Sequence, residues 1–169
     1  MYNKDMIILR KNKDRLKVDD FTFKCCIGKN GLSSNKIEGD FKTPKGTFYL
    51  ENLYFRKDRN NNPKTKLKKI AIKKNMGWCN DIKKIKKYNK LIKIKKYIRH
   101  EKLYRRDCKY DLLIPIKYNF SNPKIGKGSA IFLHITKNFK PTAGCIAIKK
   151  NDFLILLKLI NKRTKIKIV

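Results

Sequence analysis

The feature that most constrains this chain is a period of two. Apolar and polar residues alternate around Leu16 and Val18. They alternate again from Phe21 and Phe23 through Cys25 and Ile27, over residues 91–98, and over residues 164–169. In an extended strand that spacing puts all the apolar side chains on one face, which an α-helix of 3.6 residues per turn does not do. Shorter apolar or aromatic runs at 6–9, 47–50, 54–55, 112–116, 130–135 and 146–148 read as further strands, as does 68–74 with Ile70 and Ile72 on one side. Pro115 predicts an edge or bulge for its strand. Turn signals punctuate these runs at Gly28-Lys29-Asn30-Gly31, at Thr43-Pro44-Lys45-Gly46 and at Asn60-Asn61-Asn62-Pro63.

Helical spacing is rarer. Residues 153–161 carry Leu154, Leu157 and Ile160 behind Asn151-Asp152, a capping pair. Asp81 also has the character of a cap, with Ile82, Ile85 and Tyr88 at a spacing of three after it. The expected fold class is therefore mainly β. It is a single β-sandwich or barrel-like domain over residues 1–169, with one or two short helices, one of them near the C-terminus.

Composition narrows the classes. With 169 residues and 41% hydrophobic content the chain is long and apolar enough to form a core without staples. No apolar run approaches the roughly 18 residues that a helical membrane span needs. Lys+Arg number 45 against 13 Asp+Glu, a net charge of +32. That balance favours anionic polymers by long-range attraction. Yet 37 of the 45 are lysine, nucleic-acid sites lean on arginine, and neither zinc-finger spacing nor an RNA-binding signature is present. Nucleic acid is thus not an expected partner, although the surface charge would permit it. The five cysteines, Cys25, Cys26, Cys79, Cys108 and Cys145, are odd in number and lack metal-site spacing. A free thiol is expected, and a metal site built on these cysteines is not. Residues 1–10 show no secretory signal.

One segment carries chemistry. The run Ser129-Ala130-Ile131-Phe132-Leu133-His134 ends on an imidazole, and Pro141-Thr142-Ala143-Gly144-Cys145-Ile146-Ala147-Ile148 follows after a short gap. A cysteine between a glycine and an apolar strand sits at a loop-to-strand junction, where backbone N–H groups can face a reacting carbonyl. If the two strands are neighbours, His134 and Cys145 meet. An imidazolium beside the thiol would make it mostly thiolate. The same residues are also compatible with a small buried cysteine and an ordinary core histidine. Ser129 and Thr142 flank the segment as possible substrate donors or plain turn residues. Trp78 is a possible aromatic wall or a core residue. His100, with Glu101 and Arg105, is a possible carboxylate site or a solvated loop.

These residues together resemble the L,D-transpeptidase catalytic domain (YkuD) family, in a short proteobacterial-type variety. The resemblance rests on Gly128 through His134 with Pro141 through Ala147. It extends to Cys26-Ile27-Gly28-Lys29-Asn30-Gly31, Thr43-Pro44-Lys45-Gly46, Gly77-Trp78-Cys79 with Asp81, Tyr88-Asn89, His100-Glu101 with Leu103, and Tyr110-Asp111. It spans Lys17 to Val169. One departure stands out. Ala143 occupies the place of the family's second histidine, so His134 would need another orienting group, such as a backbone carbonyl.

The resemblance implies a peptidoglycan L,D-transpeptidase of the periplasm or cell envelope. Cys145 would be the nucleophile, His134 the acid–base, and N–H groups near Gly144 and Cys145 the oxyanion donors. Stem peptides would be the substrate, and no metal or organic cofactor would be needed. Transfer to an amine would cross-link stems, whereas transfer to water would make an L,D-carboxypeptidase. Another cysteine amidase on the same scaffold, or a non-enzymatic cationic domain holding nucleic acid or glycan, are the rival expectations.

Overall fold

A computed structural model describes residues 6–10 and 14–169. Half of the N-terminal stretch read for a secretory signal, residues 1–5, lies outside the described residues. Strands β1 (Met6–Arg10), β2 (Arg15–Val18) and β3 (Phe21–Cys26) form an antiparallel meander. Strands β4 (Leu32–Ser33) and β5 (Thr43–Pro44) make a small parallel clip. Then come β6 (Gly46–Tyr49), β7 (Leu53–Phe55) and β8 (Lys69–Ala71). A separate three-stranded sheet is built from β9 (Met76–Cys79), β10 (Leu91–Lys93) and β11 (His100–Lys102), with β9 central. The chain closes with β12 (Leu112–Pro115), β13 (Phe132–Ile135), β14 (Ile146–Ile148), α1 (Lys150–Leu159) and β15 (Lys165–Ile168).

Ten strands share one sheet in the order β6-β15-β1-β2-β3-β14-β13-β12-β7-β8. The sheet curls. Ile7, Leu9, Leu16, Ile166 and Ile168 from its first half join Leu112, Ile114, Leu133, Ile135, Ile146 and Ile148 from its second half in one cluster, which Phe153, Leu156 and Leu157 of α1 complete. The other face of β7, β12 and β13 packs Tyr54, Leu113 and Phe132 against Trp78 and Leu103 of the three-stranded region. The central strands are thus buried on both faces, which is why they read as continuous apolar runs and not as alternating ones.

Several expectations need correction. Residues 81–90 are turns, not a helix, so α1 is the single α-helix among the described residues. Ile82 and Ile85 point to solvent, and the Asp81 carboxylate accepts N–H groups from both Lys83 and Arg99, tying the turn sideways. Helix α1 starts at Lys150, so Asn151 and Asp152 lie inside it, and the capping position is Lys149, which makes no side-chain cap. The strand expected over 91–98 stops at Lys93. Pro115 does not mark an edge. Strand β12 is internal, and the proline is its last residue, beyond the Leu112–Leu113 pairing with β7. Strands β4, β5, β9 and β11 were not anticipated.

Candidate active site

Strands β13 and β14 run parallel with His134 opposite Ala147 and Leu133 opposite Ile146. Cys145 therefore stands at the entry to β14, beside the start of β13. Its thiol donates to the Ala130 carbonyl at 3.3 Å and accepts the Phe132 N–H at 3.4 Å. His134 lies on the same face of β13 as Phe132. Its Nδ1 is 2.9 Å from the Ile135 carbonyl and its ring meets Tyr110 edge to face. A carbonyl only accepts, so Nδ1 carries the proton and Nε2 is left as the basic nitrogen. A backbone carbonyl does the orienting that Ala143 cannot.

Burial sets the protonation states. It pushes the Cys145 thiol up to about 12, against the weaker opposing pull of the Phe132 N–H. It pushes His134 down to about 4. Both shifts favour the uncharged forms. Thiol and imidazole thus each rest uncharged, and not as the thiolate and imidazolium expected from the sequence.

The turn before Cys145 is held from several sides. Gly144 has φ 141°, and a Cβ there would come within 2.8 Å of the Lys42 carbonyl. The Thr43 hydroxyl accepts the Gly28 N–H at 2.9 Å and donates to the Gly144 carbonyl at 2.8 Å. The Thr142 hydroxyl donates to the Cys145 carbonyl and accepts the Gly144 N–H at 3.1 Å. Thr142 thus shapes the turn, and the Gly144 N–H expected to face an oxyanion is engaged by it. Ala130 adopts φ 52°, a left-handed conformation uncommon without glycine. Asn89, itself buried, fixes it. The Asn89 Oδ1 accepts both the Ala130 N–H and the Trp78 indole N–H.

Cys145 borders two cavities. The larger, of about 400 Å³, is lined by His134, Thr142, Arg105 and Tyr110 among others. The smaller, of about 250 Å³, is lined by Lys36, Glu38, Asn80, Arg99 and Ser129. Cys145, Glu101, Tyr110 and Ala143 belong to both.

The structure sorts the remaining expected site residues. Ser129 lines the smaller cavity and donates to Glu38 at 2.8 Å. Arg105 lines the larger one, but its guanidinium is tied to Asp107 and Glu101. Trp78 is a correction. It lines neither cavity, because its ring is buried between Tyr54, Phe120 and Phe132. His100 is another: it lines neither cavity, packs close over Gly77, and holds the Ile98 carbonyl with Nδ1. All five cysteines are free thiols. Lys36, Asn80, Asn89 and Thr43 were missed as site residues. Only Thr43 and Asn89 stood within stretches that the resemblance had marked. Among the described residues no group of His, Cys, Asp and Glu is arranged to hold a metal, and no helix is long and apolar enough to cross a membrane.

No curated protein matches the chain significantly. Among solved structures, Bd1075 of Bdellovibrio bacteriovorus superposes with a TM-score of 0.53 at 16% identity, covering 99% of this chain and 48% of that one. The helical cell shape determining protein Pgp2 of Campylobacter jejuni superposes with a TM-score of 0.50 at 18% identity, covering 96% and 46%. The chain thus spans a little under half the length of these two proteins, and likeness at this identity speaks to the fold alone. The family match is broader: residues 4–168 match the YkuD L,D-transpeptidase catalytic domain, which is nearly the whole chain. The chain belongs to the YkuD L,D-transpeptidase catalytic domain family.

Proposed function

We propose that the chain is a cysteine acyltransferase acting on peptidoglycan stem peptides, an L,D-transpeptidase with Cys145 as nucleophile and His134 as acid–base. The observation that carries the reading is the position of Cys145 between two cavities, one of which it shares with a histidine whose Nε2 is free of its proton. Two cavities meeting at one sulfur suit a reaction with an acyl donor and an acyl acceptor. A hydrolase needs only one.

The chemistry follows from the resting protonation states. The Cys145 sulfur attacks the carbonyl carbon of the third stem residue as its proton passes to His134 Nε2. The oxyanion takes N–H donors of the Gly144–Cys145 turn, with the Gly144 N–H exchanging the Thr142 hydroxyl for it. Collapse expels the terminal D-alanine, whose nitrogen takes the proton from His134, and leaves a thioester. An amine of a second stem then attacks the thioester. Its proton passes through His134 to the departing sulfur, which restores the thiol. No step calls for a metal or organic cofactor. Peptidoglycan as substrate assigns the chain to the cell envelope, and the net charge of +32 favours approach to an anionic wall.

Mass spectrometry of a disaccharide-tetrapeptide incubated with the chain tests the reading. The expected outcome is loss of D-alanine with formation of a cross-linked dimer, reduced at least about a thousandfold in Cys145→Ala. Monomeric tripeptide alone would make the chain a carboxypeptidase. An unchanged substrate with a folded chain would sink the catalytic reading. Salt-sensitive polymer binding that survives Cys145→Ala would then favour a cationic binding domain.

A further inference from the structure

Residues 81–99 present a surface that neither the core nor the proposed reaction uses. Eight lysines and Arg99 stand there against a single acid, Asp81. Seven of the eight lysines are exposed. Among the described residues none of the eight forms a salt bridge. The Asp81 carboxylate is occupied by the N–H groups of Lys83 and Arg99. One carboxylate cannot neutralise nine cations.

The same stretch exposes apolar side chains. Ile82 is 51% exposed, Ile85 69% and Tyr97 66%, and Leu91 is exposed as well. Eleven large hydrophobic residues are exposed among the described residues, and four of them fall within residues 82–97. That concentration sets the segment apart from the single exposed apolar residues that any surface carries. Fraying does not explain it. Tyr88, Asn89 and Ile98 are buried and pin the segment from beneath, with the Tyr88 hydroxyl on Glu38 and the Asn89 amide on the carbonyls of Tyr118 and Asn119. Its two turns are also tied to each other. Asp81 accepts the Arg99 N–H at 3.2 Å, and the ammonium groups of Lys84 and Lys95 stand 5.6 and 5.7 Å from the centre of the Tyr97 ring. The Tyr97 phenol is held below its usual range, first by Lys95 and then by the charges of Lys87 and Lys84, so cations of both turns meet at this ring.

The cations select an anionic partner. The apolar tips select among anionic partners. A soluble polyanion would pair the ammonium groups and leave Ile82 and Ile85 in water. A nucleic acid would further call for open aromatic faces and arginine forks, but the Tyr97 ring already has two ammonium neighbours and Arg99 is the one arginine of the segment. A second copy of the chain, also at +32, is repelled. An anionic bilayer takes both kinds of group. Its phosphates meet the ammonium groups, its interface accepts lysine stems and a tyrosine ring, and its acyl boundary accepts the isoleucines.

We propose that residues 81–99 form a docking surface for a bilayer rich in anionic phospholipid, with Ile82 and Ile85 at the headgroup–acyl boundary and the surrounding lysines on the headgroups. Such docking needs no spanning segment, and it would act whichever reaction Cys145 performs. Asn80, just before the segment, and Arg99, at its end, line the smaller cavity beside Cys145, so docking holds that cavity close to the lipid.

Sedimentation of the full chain with vesicles tests the surface. The vesicles are phosphatidylcholine alone and an equal mixture of phosphatidylcholine and phosphatidylglycerol. Binding to the mixture is expected to be at least about a hundredfold tighter. Two triple variants then remove equal charge from opposite sides of the ten-stranded sheet, all at exposed side chains. Lys83→Gln/Lys86→Gln/Lys87→Gln strips the patch, and Lys150→Gln/Lys158→Gln/Lys162→Gln strips α1 and the turn after it. At roughly fivefold per lysine near an anionic surface, the first should weaken binding by about a hundredfold and the second by less than about threefold. Equal losses would assign the binding to the net charge of the whole chain and overturn the patch. So would equal binding to the two kinds of vesicle.

Ile82→Ser/Ile85→Ser keeps every charge. It should weaken vesicle binding about tenfold and leave binding to soluble polyphosphate unchanged. Vesicle binding that ignores the two serines would make the surface a site for soluble polyanions and overturn the bilayer as its occupant.

Discussion

The two faces of the central strands divide the labour of this molecule. Along β13, Leu133 and Ile135 point into the cluster closed by α1, and Phe132 and His134 point toward the three-stranded sheet. In β12, Leu112 and Ile114 oppose Leu113, and in β7, Leu53 and Phe55 oppose Tyr54. The helix-side cluster is aliphatic with a few phenylalanines and the thiol of Cys25. The other holds Tyr54, Trp78, Tyr110 and Cys145, with His134 against it. Aliphatic packing contributes stability without direction. The polar-edged aromatics and buried titratable groups cost stability, and what they return is a thiol and an imidazole held uncharged at a fixed register.

The sharpest way to break this comparison is to cut one large ring from each face. Phe153→Ala on α1 empties a fully buried site and should cost about 3–5 kcal/mol in urea denaturation, while D-alanine release per folded molecule stays at the wild-type level. Phe132→Ala should cost a similar amount and also lower turnover, because Phe132 packs on Trp78 and Tyr110 and its N–H holds Cys145 Sγ. A Phe153→Ala chain that loses turnover as well would show that the faces are not separable.

The site face also has a pH signature in the acid range. The His134 imidazole titrates near 4 when folded against an ordinary 6.5, because burial disfavours its charge. Between those values the unfolded chain binds the proton and the folded chain does not, so stability falls as pH drops from 6.5 toward 4. Above 6.5 the full contribution is present. A shift of this size amounts to roughly 3 kcal/mol across the window. Asp40, which is held below the usual carboxylate range despite its burial, loses stability in acid too, so the test is a difference. His134→Gln should flatten the slope of urea stability between pH 6.5 and 4 relative to wild type. An unaltered slope would mean that His134 is not held neutral by burial.

How much of this the sequence made legible depended on solvent. Strand β15 alternates Lys165 and Lys167 with Ile166 and Ile168, and its two isoleucines are the buried pair, as a period of two demands. Both faces of β13 are buried, so the periodic signal vanished where His134 had to be oriented. That Cys145 and His134 line one cavity was legible from local context and from the resemblance. The placement of Thr43, Lys36 and Asn80 near Cys145 was not, because it arises from long-range closure. The Thr43 hydroxyl reaches a carbonyl 101 residues away, and Glu38 meets Ser129 across 91. The spacing of Ile82, Ile85 and Tyr88 misled for a related reason: a period of three needs a surface to bury against, and only Tyr88 has one.

The smallest expected effect lies at the start of α1, on the stability side. Lys149 occupies the N-cap with extended backbone, φ −64° and ψ 153°, and no side-chain bond to the first turn. A serine fits that conformation and can accept an orphan N–H of the first turn. It also removes a positive charge from the helix end where positive charge is unfavourable. Serine suits the position better than aspartate, because Asp152 already places a negative charge in that turn. Against the gain stands the exposed contact of the Lys149 ammonium with the Phe139 ring at 5.7 Å, worth at most about 0.5–1 kcal/mol. Lys149→Ser should therefore raise stability by up to about 1 kcal/mol in urea and leave D-alanine release unchanged. A stabilised chain with altered turnover would show that α1 communicates with Cys145 through β14, the strand that directly joins them in sequence.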